Sequence, residues 1–358
     1  MKRYRNPPPI NNTINRLSTS LIGSMRRQTA RARRIIVIVN PAAGQDRPIL
    51  KSINNAMRTA NVDWNLVITR QAGDGFRLAR HAVALGATTV VVYGGDGTIN
   101  EVISGLAGTR VNLGIIQGGT FNYIANSLGI PRDISQALSL ILRPDFTVHP
   151  IRLGVVNKRY FIQIVGVGLE ANVVDGAGRE GKDRFGGLAY LYSALQSIAN
   201  PKIAHYHMEL DDQVIDADGV TCMIVNADNL LLPALTALPP GPRKGLLDVF
   251  IPQKADIRAI FSVAATMAGA GPEVVLIPHW QGRRISITSD PPQLIQYDGE
   301  ILGQTPLISR VTKRMVRIIV APKKAKALEN QIDILDYDDT GLSPEEPLGE
   351  DQFPSIEA

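Results

Sequence analysis

Thr88-Thr89-Val90-Val91-Val92-Tyr93-Gly94-Gly95-Asp96-Gly97-Thr98-Ile99-Asn100-Glu101 decides the fold, because the chain changes period inside it. An unbroken β-branched run reads as a strand buried on both faces, since a strand with one wet face would alternate. It ends in glycines, and a helix is predicted from about Thr98 to Leu106. The same alternation extends both ways. Upstream lie Ile35–Val39, a helical stretch through Ala60, the strand Trp64–Ile68 and helical spacing over Phe76–Leu85; downstream lies Leu113–Ile116. Strands alternating with helices of this length predict βαβ units, hence an α/β, doubly wound parallel sheet over residues 35–147.

After residue 147 the texture changes to short strand-like runs joined by turn residues. These are Thr147–Val156, Tyr160–Val165, Ile203–Leu210, Val220–Asn226, Leu247–Ile251, Arg284–Thr288 and Leu307–Val320. Asp211-Asp212-Gln213 suits a tight hairpin and Pro239-Pro240-Gly241-Pro242 a loop. Helical insertions are expected near Gly187–Ile198 and Ala255–Ala268. The expectation is a second, mainly antiparallel, sandwich-like β domain over 148–306, with 307–325 available to complete the first.

Composition bounds the function. The 358 residues carry 38 Lys+Arg against 33 Asp+Glu, and one cysteine, which excludes a disulfide framework and a Cys-based zinc site. Cys222 reads as a small buried strand residue. The apolar stretch from Ala259 stops at Gly271-Pro272, short of the ~20 residues of a membrane span. No apolar region of secretory type follows the basic N-terminus. A cytoplasmic protein is expected. Residues 1–34 hold Lys and Arg with no acid, whereas 327–358 hold acids with no Lys or Arg and read as a disordered solubilising tail. Within 13–34, Ile14, Leu17, Leu21 and Met25 would line one face of a helix beside arginines, the composition of an interfacial helix on anionic lipid. A plain disordered extension is the equal alternative. No nucleic-acid module is present.

Chemistry is sought at the carboxyl ends of the strands, where open α/β sheets bind ligands. Three successive loops there hold glycine: Asn40-Pro41-Ala42-Ala43-Gly44, then Gly94-Gly95-Asp96-Gly97-Thr98 with Asn100 and Glu101, then Gly118-Gly119-Thr120-Phe121-Asn122. Glycine lets backbone approach a ligand, and a helix start offers N–H groups and a positive dipole end to phosphate. No Walker lysine motif occurs. The joint pattern at 94–98, 100 and 101 has a chance frequency on the order of 10⁻⁸ from ordinary residue usages.

These motifs, with Leu128-Gly129-Ile130-Pro131, Gly166-Val167-Gly168-Leu169-Glu170-Ala171 and Tyr297-Asp298-Gly299-Glu300, resemble the soluble diacylglycerol kinase catalytic domain shared by diacylglycerol, sphingosine and ceramide kinases. The resemblance spans roughly 35–320. It implies ATP and Mg²⁺ as cofactors and a membrane lipid as substrate, with the site between a nucleotide domain and a β-rich lipid domain. Peripheral attachment to the inner membrane face goes with that, and a homodimer is a further candidate assembly. A lipid alcohol is a poor nucleophile, so a carboxylate must take its proton. The resemblance gives that role to Asp298, with Glu300 assisting, although Asp-Gly is also a common plain turn. It further implies phosphate contacts from Thr98, Asn100 and Thr120, nucleotide contacts from Asn40 and Thr69, and Mg²⁺ held through water by Asp96. Three positions depart from the family pattern: Tyr123, Arg152 and Lys244 stand where acids are usual, which puts a structural Mg²⁺ in doubt. NAD kinase-like and sugar kinase-like enzymes, and a non-catalytic relative, remain alternatives. His205 and His207 share a strand face and read as surface polar residues.

Overall fold

The computed structural model describes residues 33–44, 48–120, 122–168, 203–226, 245–252, 278–297 and 300–322, of which Glu300 is described by its backbone alone. The first half runs β1 (Arg34–Val39), α1 (Ile49–Ala60), β2 (Asp63–Ile68), α2 (Asp74–Ala84), β3 (Thr89–Gly94), α3 (Asp96–Leu106), β4 (Asn112–Gln117), α4 (Tyr123–Ser127) and α5 (Ile134–Leu142). Strands order as β2-β1-β3-β4, all parallel. The unbroken apolar runs have a direct cause. Ile36, Ile38, Val90 and Val92 pack into one core with α2 and α3. Their neighbours Ile35, Val37, Val39, Val91 and Tyr93 pack into another with α1 and α5. Each such side chain fully buried contributes roughly 1.5–3 kcal/mol.

The second half adds β5 (Thr147–Val156), β6 (Arg159–Phe161), β7 (Ile164–Val167), β8 (Ala204–Leu210), β9 (Gln213–Gly219), β10 (Cys222–Asn226), β11 (Leu247–Phe250), β12 (His279–Gly282), β13 (Arg284–Asp290), β14 (Leu294–Tyr297), β15 (Glu300–Gln304) and β16 (Leu307–Val320). β16 returns to the first sheet, parallel to β4 through Arg317–Asn112 and Ile318–Leu113. β13, β8 and β9 extend that sheet beyond β16, and β5 lies antiparallel along β16. A second, antiparallel sheet orders as β12-β11-β10-β7-β14-β15. Phe161, Tyr206, Met208 and Ile285 from the first sheet and Val165, Ile224, Val249 and Ile295 from the second form one core between them. The molecule therefore combines a parallel α/β sheet with a sandwich whose two layers share a core.

Two expectations are corrected in detail. Tyr160–Val165 is not one strand: β6 stays on the first sheet and β7 begins the second, the chain crossing at Ile162-Gln163. The helix after the glycine motif starts at Asp96, so Gly97 lies inside its first turn. The Asp211-Asp212 turn closes the β8–β9 hairpin, with Asp211 at φ 50 and Leu210 paired to Gln213. The expected helices near 187–198 and 255–268 and the loop at 239–242, like both charged tails, lie outside the described residues. Among the described residues no helix is long and apolar enough to cross a membrane.

Candidate active site

The three glycine loops meet at the carboxyl edge of the parallel sheet and pack on one another by backbone. A Cβ on Gly119 would stand 2.6 Å from the Gly95 Cα, and one on Gly94 2.7 Å from Thr98 Cβ. Gly44, at φ +84, lies over the Tyr93 ring, whose hydroxyl donates to the Ala43 carbonyl at 3.2 Å. Asn40 joins two loops. Its Oδ1 accepts from Ala42 N at 3.0 Å and its Nδ2 donates to Thr98 Oγ1 at 2.8 Å. Pro41 and Ala42 are exposed at the rim. Thr69 is buried at the end of β2, its N–H donating to Val39 O at 2.9 Å. Asn122 clasps Gly119, accepting from its N–H at 2.8 Å and donating to its carbonyl at 2.6 Å, while Thr120 is exposed beside it.

Gly97 differs from its neighbours. It is exposed, its φ is ordinary, and a Cβ built on it meets nothing within 4 Å. Glycine in a helix costs roughly 0.5–1 kcal/mol against alanine, and nothing within the described residues offsets that. The N–H groups of Asp96, Gly97 and Thr98 also find no acceptor among the described residues. The starts of α2, α4 and α5, in contrast, are capped by carboxylates. Glu101 accepts from Gly73 N and Gly75 N at 2.8 Å each, closing α2. Asp96 accepts from Tyr123 N and Ile124 N at 3.1 Å each, closing α4. Asp133 accepts from Gln136 N at 2.9 Å on α5.

Several expected roles change accordingly. Glu101 was expected at the nucleotide; its carboxylate instead faces away from the open turn, onto α2. Asn100 was expected to reach phosphate; it is 4% exposed and its Nδ2 donates to the Tyr297 hydroxyl. Asn100 lies on the buried side of α3 with Ile99 and Ile103, and Glu101, the next residue, points to the start of α2. Asp96 is held above the usual carboxylate range by burial, against the lowering effect of the backbone N–H groups it accepts from. Asp298 and Gly299 lie outside the described residues, between Tyr297 and Glu300, whose backbones pair across β14 and β15.

The chain matches the diacylglycerol kinase catalytic domain over residues 34–155 and the YegS C-terminal NAD kinase beta sandwich-like domain over 163–320. It is 30% identical over 240 residues to a Staphylococcus aureus protein named as a candidate lipid kinase, spanning 64% of this chain and 75% of that one. This chain belongs to the diacylglycerol kinase catalytic-domain family. The Bacillus subtilis protein named diacylglycerol kinase is 27% identical over 305 residues, covering 83% of this chain and all of that one. A crystal structure of a candidate diacylglycerol kinase from Bacillus anthracis superposes with a TM-score of 0.67 at 26% identity, over 82% of this chain and 98% of that one.

Within this family the metal question has a structural answer at one position. Arg152 lies against Gly245: a Cβ there would stand 3.0 Å from Arg152 Nη1, and Arg152 Nε is buried without a partner among the described residues. A guanidinium there repels a cation, and no group of three His, Cys, Asp or Glu among the described residues could hold a metal. A structural Mg²⁺ does not fit that corner. Among the described residues Asp96 is the carboxylate nearest the open turn, and one carboxylate suits an ion that arrives on phosphates rather than one caged by protein. His205 and His207 face solvent and pair with carboxylates across the hairpin, His205 Nδ1 with Asp218 and His207 Nδ1 with Asp216, at 2.8 Å each. The residues missed from sequence were Tyr297, Tyr93 and the carboxylate caps; the repeated Gly-Asp-Gly at 73–75 and 95–97 was a visible signal for the last.

Proposed function

We propose that this chain is an ATP-dependent lipid kinase that phosphorylates the hydroxyl of diacylglycerol or a related lipid. The observation that carries the reading is the open first turn of α3, where three N–H groups and the bare backbone of Gly97 face space that no described residue fills. That is a cradle for an anion with several oxygens, and the helix dipole favours its negative charge. ATP supplies the transferable phosphoryl group, and Mg²⁺ borne on its phosphates offsets their charge. Gly94, Gly95 and Gly119 let the loops close around the phosphates. Thr98 and Thr120 donate hydroxyl hydrogen bonds, and Asn40 and Thr69 hold the loops that border the nucleotide. Asp298, assisted by Glu300, takes the proton of the lipid hydroxyl as the new bond to the γ-phosphorus forms and the bond from that phosphorus to the departing ADP breaks. The basic segment 10–34 rests on the anionic cytoplasmic leaflet and brings the site to its substrate, each basic side chain contributing about 1 kcal/mol there.

Labelled ATP with vesicles containing diacylglycerol, and separately with total membrane lipid, tests the reading; a phosphorylated lipid is expected. Asp298→Asn should keep the fold and lose at least about 100-fold in kcat. Label transfer to NAD or a sugar phosphate instead of lipid would overturn it. Removal of residues 1–33 should lower co-sedimentation with anionic vesicles at low salt; equal binding would remove that segment from the membrane role.

A further inference from the structure

Tyr297 ends β14 and is 8% exposed, its ring in the core between the two sheets. Its hydroxyl donates to the backbone carbonyl of Tyr160 on β6 and accepts from Asn100 Nδ2 on α3. One phenol oxygen thus ties together a helix of the nucleotide half, a strand of the first sheet's extension and a strand of the second sheet. Asn100 is one turn beyond the open N–H groups of α3. Tyr297 is one residue before Asp298 and pairs by backbone with Glu300.

A core of this kind asks only for an apolar ring, and a phenylalanine would fill it without a hydroxyl to satisfy. The hydroxyl and the buried amide of Asn100 are each costly to bury unless they meet, and they meet at the joint between the two reacting sides. Asn100 Oδ1 is itself buried with no partner among the described residues. An amide placed there for packing alone would leave that oxygen desolvated for no return, whereas an amide placed to aim Nδ2 at Tyr297 accepts the cost.

We infer that Asn100 and Tyr297 are a positioning pair that holds the end of β14 at a fixed distance from the first turn of α3. The inference rests on the lipid kinase reading above. Neither residue touches a reactant; each sets the place of one that does. A displacement of about 1 Å between nucleophile and phosphorus is enough to cost 10²-fold, so the pair's loss should appear in turnover rather than in nucleotide binding.

The test is steady-state kinetics of the full chain with ATP and diacylglycerol vesicles, beside thermal melting and binding of a fluorescent ATP analogue. Tyr297→Phe should lower kcat about 10- to 100-fold while KM for ATP and analogue affinity stay within about threefold. Asn100→Leu keeps the helix and the volume and should give the same split, which carries the test if Tyr297→Phe does not fold. The double variant should be no slower than the worse single one, as expected of residues acting as a unit. Unchanged kcat in a folded single variant, or multiplying effects in the double, overturns the pair. A parent protein that transfers no label to lipid overturns the kinase reading and the pair with it, an outcome distinct from an active parent with an active Tyr297→Phe.

Discussion

The sequence Gly-Asp-Gly begins two successive helices, Gly73-Asp74-Gly75 at α2 and Gly95-Asp96-Gly97 at α3, at the same edge of the same sheet. The first is shut. Gly73 sits at φ +86, Asp74 is 4% exposed and caps its own turn, and the Glu101 carboxylate fills the N–H groups of Gly73 and Gly75. A Cβ on Gly75 would stand 2.7 Å from Glu101 Oε2 and 2.8 Å from its Cβ. The second is open. Asp96 turns away to α4, and Gly97 faces space that no described residue fills. One tripeptide at one kind of position is satisfied by a carboxylate of the chain in the first case and is met by no acceptor among the described residues in the second. A helix start therefore identifies a ligand site only when it is known what else could fill it.

The largest expected effects come from giving the two matched glycines side chains. Gly97→Val should lower phosphoryl transfer at least about 100-fold, because its side chain would keep the phosphate away from the preorganised N–H donors, with the melting temperature unchanged. Gly97→Ala should stabilise the fold by roughly 0.5–1 kcal/mol. Gly75→Ala should instead destabilise by about 1–3 kcal/mol through overpacking against Glu101. Equal signs in the two melting curves would break the comparison. Next, Glu101→Ala should cost about 1–2 kcal/mol as a lost cap, and sulfate should restore part of it by occupying the vacated N–H groups. No response to sulfate would show that α2 is not an anion site in waiting.

The two aspartates should differ in pH dependence. Burial opposes ionisation of Asp74, but hydrogen bonds from Arg70 N, Arg77 and Gln71 N outweigh it, and the carboxyl is held below the usual range. Its stabilisation is thus present above the ordinary value near 4 and is lost as pH falls through the lowered one. Asp96 is raised by burial, so its ionisation weakens the fold, and the penalty lifts as pH falls through its raised value. The gap in stability between Asp74→Asn and the parent, followed by urea melts from pH 7 to 3, should close on acidification. For Asp96→Asn the deficit should be smaller at pH 7 and grow as the pH falls. The smallest effect is at the exposed hairpin. His205 is raised above the ordinary value near 6.5 by its hydrogen bond to Asp218. Its contribution is present below that value and fades as pH rises through the raised one. An NMR titration of His205 should shift downward in Asp218→Asn, and an unmoved midpoint would deny the pairing.

Much of the parallel half was legible because its strands are buried on both faces and so leave continuous apolar runs. Ile35–Val39 alternates between two cores rather than between core and water. The α5 start was written as Asp133 three residues before Gln136, a capping pattern that went unread. The β half was harder. β12, β14 and β15 are four or five residues long with polar positions, too short for a period to stand out. The glycine cradle could be read from residue types, but the division of labour within it could not. Whether Glu101 and Asn100 face a ligand or a neighbouring element depends on α2 and β14, which no local spacing encodes.

β16 completes the sheet from far along the chain. Its residues 317 and 318 pair with 112 and 113 of β4, and the whole strand lies along 147–156. During synthesis β4 therefore emerges with one side of its backbone unpaired and stays so while some two hundred further residues are added. An unprotected strand edge is a template for mispairing between chains. The parallel half of this molecule thus cannot mature on the ribosome ahead of the β-rich half: both must wait for the same late strand, and a nascent chain halted before residue 307 would expose β4 to its neighbours on the polysome.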